Sequence, residues 1–536
     1  MSWIKLDNQK VSSGILGSRM LSPDMIDNIN SNIIVPNRLT IQSMISELYS
    51  TKKVPSVIGD GFFILEAYII LNTLSSTEIE DVFSCLEPEL EIPIQSQWES
   101  LGTGATKYYH NVRILATLLT KPEVLDSPKL IDLVTLLSFH IHPKLPWTCE
   151  INARILENVI DDSETLQNAC QSGMSEYIST KVKPNLLVLP NIKKQTLHGG
   201  PNIKKQTLHG GLQPRLGYGG AKKEILEEDA RRNWKGTPKV KVISMMWFLI
   251  YMAKKIDWFD NYWTIIASFI LNLGDDHDPL IKYQACILLK FLMEKLAVRD
   301  DSVHLFNRSG LLDLFIEFCK KCLSHIPNIT PEKHSLILLN EAYPCIIELL
   351  MLVSQKEGNK LAFIDLINSY ILSAVTHMLS GTESPFKVIK FLIQQLSVII
   401  SIHLKEEILI SISRINFTLN QLITNPYTLD SDQGLGLIHE CLICQYSILN
   451  VFVELNDTSS CSLVATYKYD YLGSWLVLIK RLARLDEKQA AQLGPQIITN
   501  FEALKHLTSI CDEQEEYQSI LEEVMSQHPE LSEMLK

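Results

Sequence analysis

Two Cys-x-x-Cys pairs, Cys319/Cys322 and Cys441/Cys444, are the first spacing in this chain that suggests chemistry, because paired thiolates can chelate zinc or exchange electrons. Each pair lies inside an apolar pattern of helical period, 311–323 and 435–453, and the pairs are far apart. Zinc pairs usually sit on turns about 12–20 residues from each other, so these cysteines are expected to pack in a core. His140 and His142 are two apart, point different ways on a helix and read as surface side chains rather than co-ligands. The acids at Asp161-Asp162, Asp275-Asp276 and Asp512 to Glu516 lack the alternating oxygen ligands of a calcium loop. Gly217-Tyr218-Gly219-Gly220-Ala221-Lys222-Lys223 has neither the gap nor the hydroxyl of a phosphate loop. No nucleophile elbow and no H-E-x-x-H occur. The chain is therefore expected to be no enzyme, with no catalytic residue, no metal site and no cofactor.

The elements around these residues are helical. Apolar side chains recur at helical spacing, as at Leu130, Leu133, Val134, Leu137 and at Ile389, Leu392, Ile393, Leu396, Ile400, without continuous strand alternation. Ser22-Pro23, Ser127-Pro128, Thr330-Pro331 and Ser384-Pro385 are expected to put a hydroxyl at an N-cap and proline in the first turn. Ser75 to Glu78 has the spacing of a capping box. Eight of the 23 glycines fall between 199 and 236, a distribution that favours helices joined by short polar connections over sandwiches or dinucleotide folds.

The 536 residues, 46 % hydrophobic and 21 % charged, form a folded chain rather than a disordered one. A net charge of −12 argues against a nucleic-acid binder, which needs surplus Lys and Arg. The 11 cysteines are scattered, as in a chain with reduced thiols in the cytoplasm or nucleus. Met1 to Asp7 shows no secretory pattern. As a helix, the apolar run Val242 to Ala253 rises about 18 Å, short of a hydrocarbon core of about 30 Å. Val388 to Leu404 carries Lys390, Gln394, Gln395 and His403 and reads as a buried helix. No membrane contact is expected.

Residues 181–241 differ from the rest, with 14 Lys or Arg against four acids. Inside them PNIKKQTLHGG at 190–200 repeats unchanged at 201–211, which suggests duplication within an unconstrained loop. The expected organisation is N-terminal helical repeats over 1–186, a mobile basic Gly-rich insert over 187–240 and C-terminal HEAT-like repeats over 241–536. The insert is either a solvated linker or a partner contact at its end, Glu227 to Lys235. Trp234, after Arg231-Arg232, is an interface anchor or a pin that holds the insert to the body.

The repeat pattern is clearest from Phe269 to Leu289. An apolar helix ends at Asp275-Asp276, Pro279 opens another, Lys282 follows within a turn, and Ala285 stands where helices approach closely. This is the order of a HEAT or armadillo-like repeat, in which turn acids can meet a basic residue of the neighbouring unit. At about 40–47 residues per unit, the chain outside the insert holds roughly ten to twelve helix pairs, such as 311–323 with 335–354 and 361–379 with 385–402. The fold class expected is an all-α helical-repeat solenoid.

Residues 215–350 resemble the Tti-two family, a subunit of the Tel-two, Tti-one, Tti-two (TTT) co-chaperone. The resemblance rests on Arg231-Arg232-Asn233-Trp234-Lys235, Trp258 to Trp263, Asp275-Asp276 with Lys282, Ile326 to Glu332, and Ala342-Tyr343-Pro344. It implies a non-catalytic scaffold that binds Tti-one-like and Tel-two-like helical-repeat proteins. With heat-shock chaperone machinery, such a complex supports folding, stability and assembly of phosphatidylinositol-3-kinase-related kinases, and so TOR signalling, DNA-damage responses and telomere maintenance. Arg231, Arg232, Trp234, Trp258, Asp275, Asp276, Lys282 and Tyr343 are the expected partner-binding or supporting residues. The alternative is an import-receptor-type carrier whose acidic body holds basic cargo.

Overall fold

A computed structural model describes residues 41–50, 55–100, 105–189, 218–252, 256–297, 302–358, 360–380, 385–483, 487–511 and 513–528. Every regular element among them is helical, an all-α fold consistent with a solenoid. The duplicated 190–211 and the Ser22-Pro23 start lie outside the described residues. Backbone contacts divide the chain into two compact units, Met1–Asn272 and Leu273–Lys536.

In the first unit the main helices are α1 (Pro55–Leu71), α2 (Ser76–Glu89), α3 (Ala105–Leu119), α4 (Leu130–Ser138), α5 (Glu150–Asp162), α6 (Tyr218–Lys235), α7 (Val242–Tyr251) and α8, Ile256–Gly274, whose last residues enter the second unit. The start of α2 is the capping box the sequence predicts: Glu78 N–H donates to Ser75 Oγ, and Ser75 N–H donates to the Glu78 carboxylate at 2.8 Å. Between α1 and α3 lies a fully buried ion pair, Arg113 to Glu66 at 2.9 Å. Thr117 Oγ1 also donates to this carboxylate, and the Tyr109 hydroxyl accepts from the guanidinium. Removing one partner of such a pair strands a charge in the core, which costs about 3–5 kcal/mol.

The main helices described in the second unit alternate as first and second helices of successive steps: α9 (Pro279–Ala297) and α10 (Leu312–Leu323), α11 (Glu332–Glu357) and α12 (Leu361–Leu379), α13 (Phe386–Val398) and α14 (Ile412–Thr424), α15 (Asp432–Leu455) and α16 (Lys468–Leu482), and α17 (Glu487–Ile510) and α18 (Gln514–Gln527). First helices pack on first helices of the next pair, α9 on α11, α11 on α13, α13 on α15 and α15 on α17, and α14 packs on α16. Both pairings expected from sequence, 311–323 with 335–354 and 361–379 with 385–402, are in contact. The first helices start at steps of roughly 46–55 residues, most of them longer than the 40–47 of the simple pattern, and Ser302–Ser309 and Thr458–Ala465 add a short helix inside two of the longer steps.

Polar cross-links between neighbouring pairs fall at nearly this interval. Lys321 meets Asp275 at 3.2 Å, Lys320 meets Asp365 at 3.0 Å, Lys360 meets Glu407 at 3.0 Å and Lys468 meets Glu513 at 2.7 Å. Gln394 donates to Glu440 at 2.7 Å. Such links fix the register in which one pair stacks on the next.

Two-sided covering also explains the apolar length of these helices. Glu332–Gln355, Leu361–Leu379, Phe386–Ile410 and Asp432–Leu455 are each long and apolar enough to cross a membrane by length and composition, and between 44 % and 50 % of each apolar window is buried inside the protein. A helix flanked on two sides by others needs apolar residues round much of its circumference.

Not all helix starts follow the sequence expectation. Pro331 is an N-cap residue, one position earlier than the first turn, and the α11 start has no side-chain cap, while Ser384, expected to cap α13, lies outside the described residues. Ser127 Oγ accepts from Lys129 N–H in a turn before α4. Ser431 and Asp457, which the proline pattern does not mark, do cap their helices.

Close approach is sharpest at Gly434, where a Cβ would stand 1.8 Å from the Thr428 carbonyl oxygen, a backbone atom. At Gly473, in mid α16, a Cβ would meet nothing within 4 Å. Gly434→Ala is expected to lower stability by about 1–3 kcal/mol or more through overpacking, whereas Gly473→Ala raises it by about 0.4–1 kcal/mol. Denaturant unfolding of the two variants beside wild type checks both signs.

Candidate functional site

The residues singled out by sequence fall into two groups, one in each unit. In the first, Arg231, Arg232 and Trp234 lie at the end of α6, a helix that occupies 218–235 of the stretch expected as a loop. The local reason is composition: Glu224, Leu226, Glu227, Glu228 and Ala230 are good helix formers, and the far end has something to bury. Trp234 is buried, its Nε1 donates to the Asn185 carbonyl at 2.9 Å, and its ring meets Phe269 edge-on at 6.5 Å. Arg231 is also buried and donates to the Asn272 carbonyl. Arg232 points to solvent and pairs along the helix with Glu228 at 3.4 Å and Asp229 at 3.5 Å. Of the two roles open to Trp234, the structure has the pin.

The second group surrounds the turn between α8 and α9. Asp275 is exposed and holds Lys321, which donates to its carboxylate at 3.2 Å and is raised above its usual range chiefly by that bond. Asp276 is buried and turned onto the backbone, where its Oδ1 accepts from Asp278 N–H at 2.9 Å. Lys282 is buried nearby. Burial, together with the charges of Lys282 and His277, lowers His325 to about 4. The His325 ring nitrogen Nδ1 lies 3.1 Å from Thr330 Oγ1. The sequence expectation that turn acids meet a basic residue of the next unit is met by Asp275 and Lys321, while Lys282, the basic residue the pattern offered, is inside.

Tyr343 is in the core, edge-on to Phe391 at 5.7 Å, with its hydroxyl raised by burial. Trp258 lies early in α8, and its side chain is outside the described residues. Thus Arg231, Trp234, Asp276, Lys282 and Tyr343 hold the fold rather than present a surface. Their types were legible, but their direction depends on tertiary packing.

The cysteine and histidine motifs also resolve into packing. Cys286, Cys319, Cys322 and Cys345 are all buried, with Cys286 Sγ 3.8 Å from Cys322 Sγ and Cys345 Sγ donating to the Cys286 carbonyl at 3.1 Å. Burial raises Cys286, Cys319 and Cys441 well above the usual thiol range and Cys444 to about 12, which disfavours the thiolate that metal binding requires. Among the described residues, no group of three or more His, Cys, Asp or Glu is placed to hold a metal ion. His140 is not the surface residue expected, and His142 is half-buried. His140 is buried against Tyr108, with Nε2 3.2 Å from the Leu90 carbonyl, and His142 stacks on Trp247 at 3.6 Å. Apolar neighbours that are distant in sequence, Trp247 above all, are what periodicity could not reveal.

Two outcomes follow. Trp234→Ala removes a buried indole and leaves the Asn185 carbonyl unpaired, so a loss of about 3–5 kcal/mol is expected, read by hydrogen exchange as faster exchange over 183–188 and 225–240. His325 is neutral when folded and takes a proton below 6.5 when unfolded, so its contribution to stability is lost as pH falls from about 6.5 towards 4. Melting temperatures measured across that range should fall less steeply for His325→Asn than for wild type.

A model described as the Tti2 family matches residues 133–430 of the chain, a span that contains all eight of the residues singled out by sequence. No curated protein matches.

Proposed function

The chain belongs to the Tti2 family, and from that membership we propose that it is a non-catalytic scaffold subunit of a TTT-like co-chaperone complex. Its partners are Tti-one-like and Tel-two-like helical-repeat proteins. With heat-shock chaperone machinery the assembly supports folding, stability and assembly of phosphatidylinositol-3-kinase-related kinases in the cytoplasm and nucleus. Those clients would place the chain in TOR signalling, the DNA-damage response and telomere maintenance.

The family match over 133–430, more than half of the chain, is the observation that carries this. The helix pairs support it. HEAT-type pairs stacked into an α-solenoid bury their apolar faces on each other and leave long edges and faces for protein contacts. In such a scaffold, affinity comes from an extended surface of about 800 Å² per partner or more. The scaffold works in water, with about half of each long apolar stretch, 44–50 %, buried inside the protein.

Affinity purification of the tagged chain from its own cells, with mass spectrometry, tests the assignment. Recovery of the Tti-one-like and Tel-two-like proteins together with the giant kinases is expected, unchanged when 190–211 is deleted. Recovery of a nuclear-transport GTPase with mixed basic cargo, or of the bait alone, would contradict it.

A further inference from the structure

The edge of the second unit on which each first helix turns into its second carries a row of exposed aliphatic side chains. Ile402 is 61 % exposed, Ile410 66 % and Leu463 56 %, and Leu361 and Leu455 are exposed with them. These residues come from three successive turns, and contacts place the turns side by side. Lys360, before α12, donates to the Leu404 carbonyl at 3.3 Å and pairs with Glu407. The short helix Lys405–Ile410 packs on Thr458–Ala465. At the next step Lys468 meets Glu513.

Local backbone shape helps to present the row. The end of α13 widens into a π-helical turn, Ile399–Leu404, and Lys405 then takes a φ of 54°, uncommon for a side chain with a Cβ. This bend separates Ile402 from Ile410 and leaves both outside the stack. One pair earlier, the C-terminal ends of α9 and α11 border an apolar cavity of about 270 Å³ whose lining includes Met293, Phe306 and Met351. Methionines suit a pocket that adapts to an incoming side chain.

From these features we infer that this edge, centred on Ile402, Ile410 and Leu463, is the docking surface for an apolar face of the Tti-one-like helical-repeat partner. The assignment rests on the co-chaperone function proposed above and adds to it the place of contact. Two observations fit an apolar helical face as that occupant. The five aliphatic side chains expose on the order of 500 Å² of apolar surface, near the apolar share of a stable interface of about 800 Å² per partner. The charges of the edge are largely satisfied within it: Lys360 with Glu407, Lys468 with Glu513, and Asp457 accepting from Ser460 N–H at 2.8 Å. Lys405 and Glu406 are adjacent and of opposite sign. A strongly charged partner such as nucleic acid would find no matching field, whereas an apolar helical face would bury what is exposed.

The test is co-expression of the full chain with the Tti-one-like protein, comparing wild type with the double variant Ile402→Asp/Ile410→Asp, with Leu463→Asp, and with Ile329→Asp. Ile329 is equally exposed but lies in the turn between α10 and α11, where second helices lead into first ones. Circular dichroism and melting temperature establish that each variant is folded. Wild type and Ile329→Asp should recover the partner equally, and the double variant and Leu463→Asp at least tenfold less. Since the two affected variants lie on separate elements, misfolding of one leaves the other to decide.

Full recovery by the folded edge variants would overturn the docking surface and leave the co-chaperone function standing. Failure of wild type to recover the partner would instead remove that function and the inference with it. Two further results on the purified chain would assign the edge to another occupant and so overturn the inference. One is binding to phosphatidylcholine/phosphatidylserine vesicles that the double variant loses. The other is self-association that the double variant dissolves.

Discussion

Each apolar helix of this chain can be removed from water only by the helices of neighbouring pairs. A pair alone leaves most of an apolar circumference exposed, and burying that surface is worth about 25 cal/mol per Å². The first helices therefore stack in sequence order, α9 on α11, α11 on α13, α13 on α15 and α15 on α17. Most other features follow from that requirement. Gly274 and Gly434 stand where backbone and ring come too close for a side chain, with Phe318 and Thr428 filling the space. The links Lys321–Asp275, Lys320–Asp365, Lys360–Glu407 and Lys468–Glu513 are the polar register of the same stacking. Lys468 is buried, but the three partly exposed pairs contribute about 0–1 kcal/mol each, so they align the stack more than they stabilise it.

Stacking also decides where a partner can bind. The interior faces are consumed by neighbours, and the turns between helices and the outward helix faces remain. At the turns from second to first helices, polar contacts are dense: Asp275 with Lys321, Asp276 with Asp278, His325 with Thr330. At the turns from first to second helices in the later pairs, the paired charges are accompanied by exposed isoleucine and leucine. An exposed apolar row of this kind on a folded chain usually marks an interface.

How much of this could be read from sequence depended on whether the cause was local. The helical class, the Ser75–Glu78 capping box and the acidic turn at Asp275 follow from spacing within a few residues and hold in the structure. The cap expected at Thr330 does not, because a shift of one residue at a helix start costs little when the following helix is held by packing. His140 and His142 looked like surface residues since nothing nearby in sequence announces Tyr108 and Trp247 as their neighbours. Among the site residues, Asp275 and Arg232 are at the surface, while Trp234, Lys282 and Tyr343 are inside. Ile402 and Ile410 escaped notice for the converse reason: within an apolar helix their sequence looks like core, and only the π-helical turn and the bend at Lys405 turn them outward.

Hydrogen exchange of the full chain, alone and mixed with the Tti-one-like protein proposed as its partner, tests the central claim most directly, because it locates contact on the stack without substitution. Protection gained at 398–410 and 455–469, with the turns at 275–282 and 324–331 unchanged, is the result the account predicts. Protection confined to the latter turns, or no change in either set on complex formation, would contradict it.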